Sequence, residues 1–334
     1  MSTDGSTKAI VAALSANLGI GVTKFVAFGL TGASSMLAEA IHSVADSGNQ
    51  ILLLVGGKQA RKEADAEHPF GYARNRYYYA FLVAVVLFSL GGLFALYEAL
   101  HKFQHPEPIV SWQWVPIVVL LIGLGLEGYS LRTAVHESNK VRGKLGWLPF
   151  IRKSRSPELP VILLEDFGAL LGLLFALFGV SMTLITGNGL WDAAGTAMIG
   201  LLLVVIAIVL ARETKSMLMG ESVTAEDQAR IDAAFAVAGL GDIIHMRTMH
   251  LGPEDVLVTC KVGVRPGTTI ERIAEQVDDA ERRIRDAVPT ARLIFIEPDL
   301  RHAEAAVDAV APAPAPAPAP APVDADSTDH NKEH

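Results

Sequence analysis

The 334-residue sequence predicts a membrane α-helical bundle of six transmembrane helices, followed by a small C-terminal α+β domain. Residues 1–211 contain six apolar stretches of roughly 20 residues, the length an α-helix needs to cross the ~30 Å hydrocarbon core of a bilayer. These residues carry 15 Lys/Arg and 14 Asp/Glu, whereas residues 212–302 carry 12 and 16. We therefore predict a transmembrane domain over 1–211 and a water-soluble, cytoplasmic domain over 212–302.

The six stretches share a low density of charged side chains. They lie at about residues 9–30, 34–57, 78–100, 112–131, 160–186 and 190–211. The first is longer than the apolar region of a signal peptide and has no A-x-A cleavage site near its end, so we expect a retained helix. Polar side chains interrupt the second stretch, and a hydropathy window alone would miss it.

Loop charges predict the orientation of the helices. The loops after the second and fourth stretches contain 5 and 7 Lys/Arg, whereas the loops after the first and fifth contain none and the loop after the third has only Lys102. Because positively charged loops stay in the cytoplasm, we expect both termini to be cytoplasmic. We therefore expect an integral membrane protein that is located in the cell (inner) membrane.

Composition also excludes some classes of function. The formal net charge of −8 leaves no basic surplus for phosphates, so nucleic acid is not an expected partner. The single cysteine, Cys260, excludes an intrachain disulfide. Residues 303–334 include alternating Ala and Pro from Ala311 to Pro322, a pattern typical of polyproline II, and we predict a disordered, acidic tail there.

The soluble region shows alternating helix and strand signals. Thr224 and Asp227 have the spacing of a capping box at the start of a helix that ends near Gly239, and Thr268 is expected to cap a second helix. The predicted strands are Ile243 to His250, Val256 to Val264 and Leu293 to Glu297, with Cys260 on the apolar face of the second. The resulting order, α-β-β-α-β, predicts a two-layer ferredoxin-like domain.

The polar residues of the second apolar stretch share one helical face. His42 and Asp46 are spaced i, i+4, while Glu39 and Asn49 are three residues before His42 and seven after it. Ionisable groups inside membrane helices are costly and usually functional. This face is therefore a candidate binding site.

A second acidic helix completes the candidate site. Glu165 and Asp166 stand side by side in the fifth apolar stretch. An imidazole with two or three carboxylates suits a divalent transition metal, and a cation would relieve the repulsion between the carboxylates. The alternative, interhelical hydrogen bonds or ion pairs, is the expected role of lone polar residues such as Lys24 and Glu127.

Four segments carry a family resemblance. The segments MLAEAIHSVADSGNQILLL (36–54), HPFGYARNRY (68–77), LLEDFGALLG (163–172) and GNGLWDAAGTAMIGLLL (187–203) resemble the cation diffusion facilitator family. They are most similar to its branch with the mitochondrial zinc exporter of animals. The resemblance implies a homodimeric metal/proton antiporter that moves zinc, or sometimes manganese, iron or cobalt, out of the cytosol.

The resemblance also implies a set of metal-binding residues. His42 and Asp46 match the helix-two pair of the family's transport site, and Asp166 matches its helix-five aspartate. The remaining helix-five position, usually histidine or aspartate, falls on Ile162. The candidates for the fourth ligand are Glu165, Asn49, Glu39 and water.

Two accessory metal sites of the family are only partly matched. In the loop after the second stretch Asp65 and His68 are present, but Tyr72 stands at a second histidine position. We expect His68 to hydrogen-bond within the loop rather than bind metal. In the soluble domain His245 matches a metal-binding histidine, while other ligand positions hold Cys260, Glu271 and Glu297.

The sequence therefore favours a proton-coupled exporter of divalent metal in a lipid bilayer, with zinc as transported substrate and iron, cobalt or manganese as alternatives. Imidazole ligands favour zinc over manganese. A membrane metal-binding or scaffold protein without transport is the second hypothesis. A membrane metallohydrolase ranks last because the sequence contains no H-E-x-x-H or similar signature, and we do not expect an enzyme.

Overall fold

The computed structural model describes residues 3–106, 108–238 and 240–300. The helices before the sheet domain are α1 Thr3–Thr31, α2 Ser34–Gln59, α3 Asn75–Val86, α4 Phe94–Gln104, α5 Trp114–Arg142, α6 Trp147–Lys153, α7 Glu158–Thr186 and α8 Leu190–Met219. A π-helical segment, Leu87–Leu93, joins α3 to α4, so that Asn75–Gln104 forms one helix of 30 residues. Every predicted apolar stretch therefore coincides with a helix.

Four of these helices are long and apolar enough to cross a bilayer, namely Asn75–Gln104, α5, α7 and α8. The first two stretches form helices of 29 and 26 residues, α1 and α2, that are not among the four. In α2 the buried face carries polar residues, including Glu39, His42 and Asn49, which lower its hydropathy. The chain is thus a helical membrane protein with four clearly apolar helices, and the count of six spans stays a prediction.

α5 and α8 extend well beyond the C-terminal ends of their apolar stretches. α5 continues to Arg142 and α8 to Met219, past the ends expected at residues 131 and 211. The added segment of α5 contains good helix formers and an exposed ion pair between Glu137 and Lys140, whose atoms lie 2.6 Å apart. The added ends carry charged side chains, which a search for apolar stretches leaves out.

α7 and α8 approach each other closely through small residues. A Cβ atom added to Gly195 of α8 would lie 2.8 Å from the backbone oxygen of Phe175 and 3.2 Å from Cα of Gly179 on α7. Small residues allow membrane helices to pack backbone against backbone. This contact fixes the distance between α7, which carries the acidic pair, and α8.

We expect Gly195→Ala to lower the melting temperature of the detergent-solubilised protein by about 5 °C, because overpacking costs roughly 1–3 kcal/mol and the nearest atoms are backbone. Gly125→Ala in α5 is the matched control, because nothing lies within 4 Å of the added Cβ. Equal melting temperatures for the two variants would show that α7 and α8 are not in backbone contact.

The C-terminal part of the described chain has the predicted order α-β-β-α-β. Its elements are α9 Ala225–Ala238, β1 Ile243–Gly252, β2 Asp255–Val264, α10 Ile270–Ala287 and β3 Ala291–Leu300. In the three-stranded sheet of order β1-β2-β3, β2 pairs antiparallel with β1 and parallel with β3. The chain therefore ends, within its described part, in a small three-stranded sheet domain with two helices.

Two residues, Thr224 and Thr268, were expected to cap the helices of this domain. The N–H of Asp227 donates to Oγ1 of Thr224 at 3.1 Å, and the Thr224 hydroxyl donates to the Asp227 carboxylate, which confirms the first cap. The second was wrong by one residue: Thr269 accepts from the N–H of Arg272, while the Thr268 hydroxyl donates to a backbone oxygen of the preceding turn. The helix end expected near Gly239 and the tail expected over 303–334 lie outside the described residues.

Cys260 lies in the core of the sheet domain, as the alternation of β2 predicts. Its side chain packs among apolar residues and is 4% exposed, and burial raises the pKa of the thiol to about 12. Since the thiolate is the reactive form, we expect maleimide at neutral pH to label folded protein roughly a hundredfold more slowly than denatured protein. Mass spectrometry of the intact chain follows the labelling of this single cysteine. Rapid labelling of the folded protein would show that Cys260 is not buried in the core of the sheet domain.

Candidate metal centre

The helical register of α2 brings His42 and Asp46 together. Nε2 of His42 lies 3.5 Å from Oδ2 of Asp46, and His42 is 1% exposed. Both ring nitrogens of His42 and Oδ1 of Asp46 are buried without a hydrogen-bond partner among the described residues. Buried polar atoms normally have partners, so these three atoms are available to a ligand.

The acidic pair of α7 faces the same region. Nδ2 of Asn49 on α2 donates to Oε1 of Glu165 at 2.6 Å, and the hydroxyl of Ser130 on α5 donates to Oδ2 of Asp166 at 2.9 Å. The carboxylate of Asp46 interacts electrostatically with both Glu165 and Asp166. Three helices therefore contribute to one polar region inside an otherwise apolar bundle.

The candidate ligands do not form a closed coordination sphere. In the described ranges, no three His, Cys, Asp or Glu side chains stand together in a way that would hold a metal ion. Ile162, one turn before Asp166 on α7, has no donor atom and is 36% exposed. Side-chain rearrangement around His42 and Asp46 is thus required for a cation to reach ligands from both helices.

Lys24 and Glu39 form a buried ion pair beside this region. Nζ of Lys24 on α1 lies 2.9 Å from Oε2 of Glu39 and donates to Oγ of Ser43 at 2.8 Å. This confirms the expected role of Lys24 as an interhelical partner. Glu39 is therefore engaged with an ammonium group on another helix, which distinguishes it from Asp46.

Asp192 has a role that the sequence did not reveal. Its carboxylate, on α8, is fully buried and accepts hydrogen bonds from the backbone N–H groups of Ser34 and Ser35 at 2.6 and 3.3 Å. Both serine hydroxyls donate to it as well. Because Ala33 provides no side-chain cap, a residue from another helix caps the start of α2. The only indication of this capping role in the sequence is the presence of an acidic residue within an apolar stretch.

In the loop between α2 and α3, the two candidate ligands Asp65 and His68 contact other residues of the same loop. Asp65 accepts hydrogen bonds from the backbone N–H groups of Glu67 and His68 and from the hydroxyl of Tyr72. The Tyr72 hydroxyl, followed by the His68 amide, lowers the pKa of this exposed carboxyl. The His68 ring lies 4.3 Å from the Tyr72 ring. These contacts favour the expected loop-stabilising role of His68.

In the sheet domain, His245 lines an open cavity of about 480 Å³ together with Cys260 and Glu297. His245 is exposed, while Cys260 is buried in the core. Oε1 of Glu297 lies 3.5 Å from Nζ of Lys261. The cavity therefore brings together some candidate ligands, with a core thiol and an ion-paired carboxylate among them.

One arginine connects the membrane helices to the sheet domain. Arg155, just before α7, forms an ion pair with Glu221 and donates to the backbone oxygen of Ser222 at 3.1 Å, both in the segment after α8. The hydroxyl of Tyr77 on α3 donates to the backbone oxygen of Arg155 at 3.1 Å. We call Tyr77, Arg155, Glu221 and Ser222 the Arg155 junction.

Several known proteins are similar to this chain. The human protein named proton-coupled zinc antiporter SLC30A9, mitochondrial, is 35% identical over 210 residues, which are 62% of this chain and 37% of that protein. Metal tolerance protein C4 of Arabidopsis thaliana is 28% identical over 228 residues, 68% of this chain and 50% of that protein. This chain therefore spans half or less of the length of these two relatives.

A bacterial relative matches over a larger share of its length. Magnetosome protein MamM of Magnetospirillum gryphiswaldense is 27% identical over 248 residues, 73% of this chain and 72% of that protein. In addition, the family model for the cation efflux transmembrane domain matches residues 10–219, which is more than half of the chain and includes all the polar residues of α2 and α7. The chain therefore belongs to the cation diffusion facilitator family.

Proposed function

We propose that this chain exports a divalent metal cation in exchange for protons, and that zinc is its principal substrate. The observation that carries the proposal is the set of buried atoms of His42 and Asp46 that have no hydrogen-bond partner in the described part of the chain and that lie beside the acidic pair of α7. Imidazole and carboxylate groups are the ligands zinc takes in proteins, and they also accept iron, cobalt and manganese. The name of the human relative, a proton-coupled zinc antiporter, supports the same substrate and coupling.

The proposed ligands are His42, Asp46 and Asp166, with Glu165 as the fourth. The hydrogen bond that Asn49 donates to Glu165 holds this carboxylate close to α2, and Glu165 is therefore favoured over water as the fourth ligand. The side-chain oxygen of Asn49, Oδ1, has no hydrogen-bond partner among the described residues, so Asn49 is the next candidate. Glu39 ranks lower because Lys24 already holds it. A cation would offset the repulsion among these carboxylates and draw α2 and α7 together.

Proton coupling follows from the chemistry of the ligands. Neutral imidazole and ionised carboxylates bind the cation, whereas protonation removes the lone pair or the charge that holds it. An imidazole ordinarily titrates near neutral pH, so protons on the acidic side of a membrane compete with metal there. Rocking of the helices would expose the site first to the cytoplasm and then to that acidic side.

The same proposal extends to architecture. We propose six membrane spans, with α1 and α2 included, a transmembrane domain over 1–211, and both termini on the cytoplasmic side of the cell (inner) membrane. The α-β-β-α-β order supports a ferredoxin-like cytoplasmic domain over 212–302 that pairs two subunits into a homodimer. His245 at its open cavity and the Asp65–His68 loop are proposed as weaker, accessory metal contacts.

Transport by the purified protein tests the proposal. Wild-type protein in liposomes with an acidic lumen and a trapped zinc-sensitive dye should take up zinc, and a protonophore should stop the uptake. Separate assays with manganese, iron and cobalt would rank the substrates. Zinc binding by calorimetry without zinc movement under either pH gradient would refute the exporter and favour the non-transporting metal-binding protein.

A further inference from the structure

The buried ion pair between Lys24 and Glu39 has no role in the proposed ligand set. Lys24 is 1% exposed and Glu39 is fully buried, although each carries a charged group. Burying an ion pair in a low-dielectric environment brings little net stability, and charges inside membrane proteins usually have functional roles. The position of the pair therefore requires an explanation other than stability.

The pair lies directly beside the proposed metal ligands. Glu39 precedes His42 by one helical turn, and Ser43, the second acceptor of the Lys24 ammonium, follows His42 directly. The second carboxylate oxygen of Glu39, Oε1, is buried without a hydrogen-bond partner among the described residues. This oxygen faces α7, since a Cβ atom added to Gly172 would lie 2.7 Å from it.

The charge of Lys24 also reaches the proposed ligands. Its ammonium group interacts electrostatically with Asp46 and His42 on α2 and with Glu127 on α5. The carboxyl groups in this region are those of Glu39, Asp46, Glu127, Glu165 and Asp166. Among them, Glu39 is in direct contact with the ammonium. Lys24 is thus a fixed cation whose net effect on a bound metal depends on whether Glu39 neutralises it.

We propose that Lys24 determines the affinity and metal selectivity of the site by neutralising Glu39 and keeping it out of the coordination sphere. This inference deepens the proposed function and depends on it. Without the ammonium, a free carboxylate beside His42 would attract any divalent cation more strongly and would favour manganese, a metal that prefers oxygen ligands. Without the carboxylate, the unpaired ammonium would repel every divalent cation.

Two single variants are expected to change the KM for metal in opposite directions. Lys24→Gln, which keeps a hydrogen-bond donor, should lower the KM for zinc about fivefold and that for manganese further, and Glu39→Gln should raise both about fivefold, on the scale of coupling between neighbouring groups. The double variant Lys24→Gln/Glu39→Gln should return the KM values toward those of the wild type. Initial rates in liposomes and calorimetric binding of zinc and manganese measure these changes.

The direction of the KM changes distinguishes an electrostatic role of the ion pair from a purely structural one. A merely structural ion pair would raise KM in both single variants, and that result would overturn the proposal. If Lys24→Gln does not fold, comparing Glu39→Gln with the double variant measures removal of the ammonium in a background without a free carboxylate. A lower KM in the double variant supports the proposal, and an equal or higher KM overturns it.

The proposed function can fail separately from this inference. Wild-type protein that moves no metal in liposomes contradicts the exporter itself. If the wild-type protein transports zinc but Lys24→Gln has the same preference between zinc and manganese as the wild type, only the proposed role of Lys24 is contradicted. Lys24→Arg, which retains the positive charge, should keep the wild-type preference between the two metals.

Discussion

Asp46→Asn is expected to reduce proton-driven zinc uptake about a hundredfold, which corresponds to roughly 2.7 kcal/mol of lost metal interaction. The amide has the shape of the carboxylate but neither its charge nor its basicity. The substitution thus weakens a proposed ligand whose Oδ1 is buried without a hydrogen-bond partner among the described residues. The initial rate of zinc-dye fluorescence in liposomes with an acidic lumen measures the loss.

The control for this substitution is Asp286→Asn, the same chemical change at an exposed position of α10. It should transport zinc at the wild-type rate. The melting temperatures of both variants establish that each is folded. If folded Asp46→Asn transports zinc as fast as Asp286→Asn, Asp46 is not a metal ligand.

Asp192→Ala should have the largest effect on stability. The carboxylate accepts four hydrogen bonds from Ser34 and Ser35, and its removal leaves two backbone N–H groups at the start of α2 without their partner. Each unsatisfied buried group costs about 1–3 kcal/mol. We expect a loss of about 3 kcal/mol or more, seen as a melting temperature lower by roughly 10 °C in detergent.

Asp286→Ala is the matched control for this change, because an exposed surface substitution changes stability by only about 0.5 kcal/mol. Asp192→Asn retains one acceptor oxygen and should lie between Asp192→Ala and the wild type. Equal unfolding temperatures for Asp192→Ala and Asp286→Ala would show that the α8 carboxylate does not stabilise the start of α2.

Local patterns in the sequence predicted the features that depend on neighbouring residues. Each of the six apolar stretches coincides with a helix, whereas the short helix α6 was not predicted, and the alternation of β2 placed Cys260 in the core. The spacing of His42 and Asp46 placed both on one face of α2, where they lie in contact range. These predictions succeed because helix and strand periodicity are properties of a single segment.

Contacts between distant segments were not predictable in the same way. Asp192 and Ser34 are separated by 158 positions, and no spacing rule relates an α8 carboxylate to the start of α2. The bond between Asn49 and Glu165 spans 116 positions. The acidic and polar character of these residues was visible in the sequence, but the choice of partner follows from helix packing.

The Arg155 junction has a mechanical consequence. Arg155 lies three residues before Glu158, where α7 begins, and its partners Glu221 and Ser222 lead into the sheet domain. A displacement of that domain would therefore be transmitted to the N-terminal end of α7, the helix that carries Glu165 and Asp166. The hydrogen bond from Tyr77 attaches the same point to α3, so that α3 and α7 share one connection to the sheet domain.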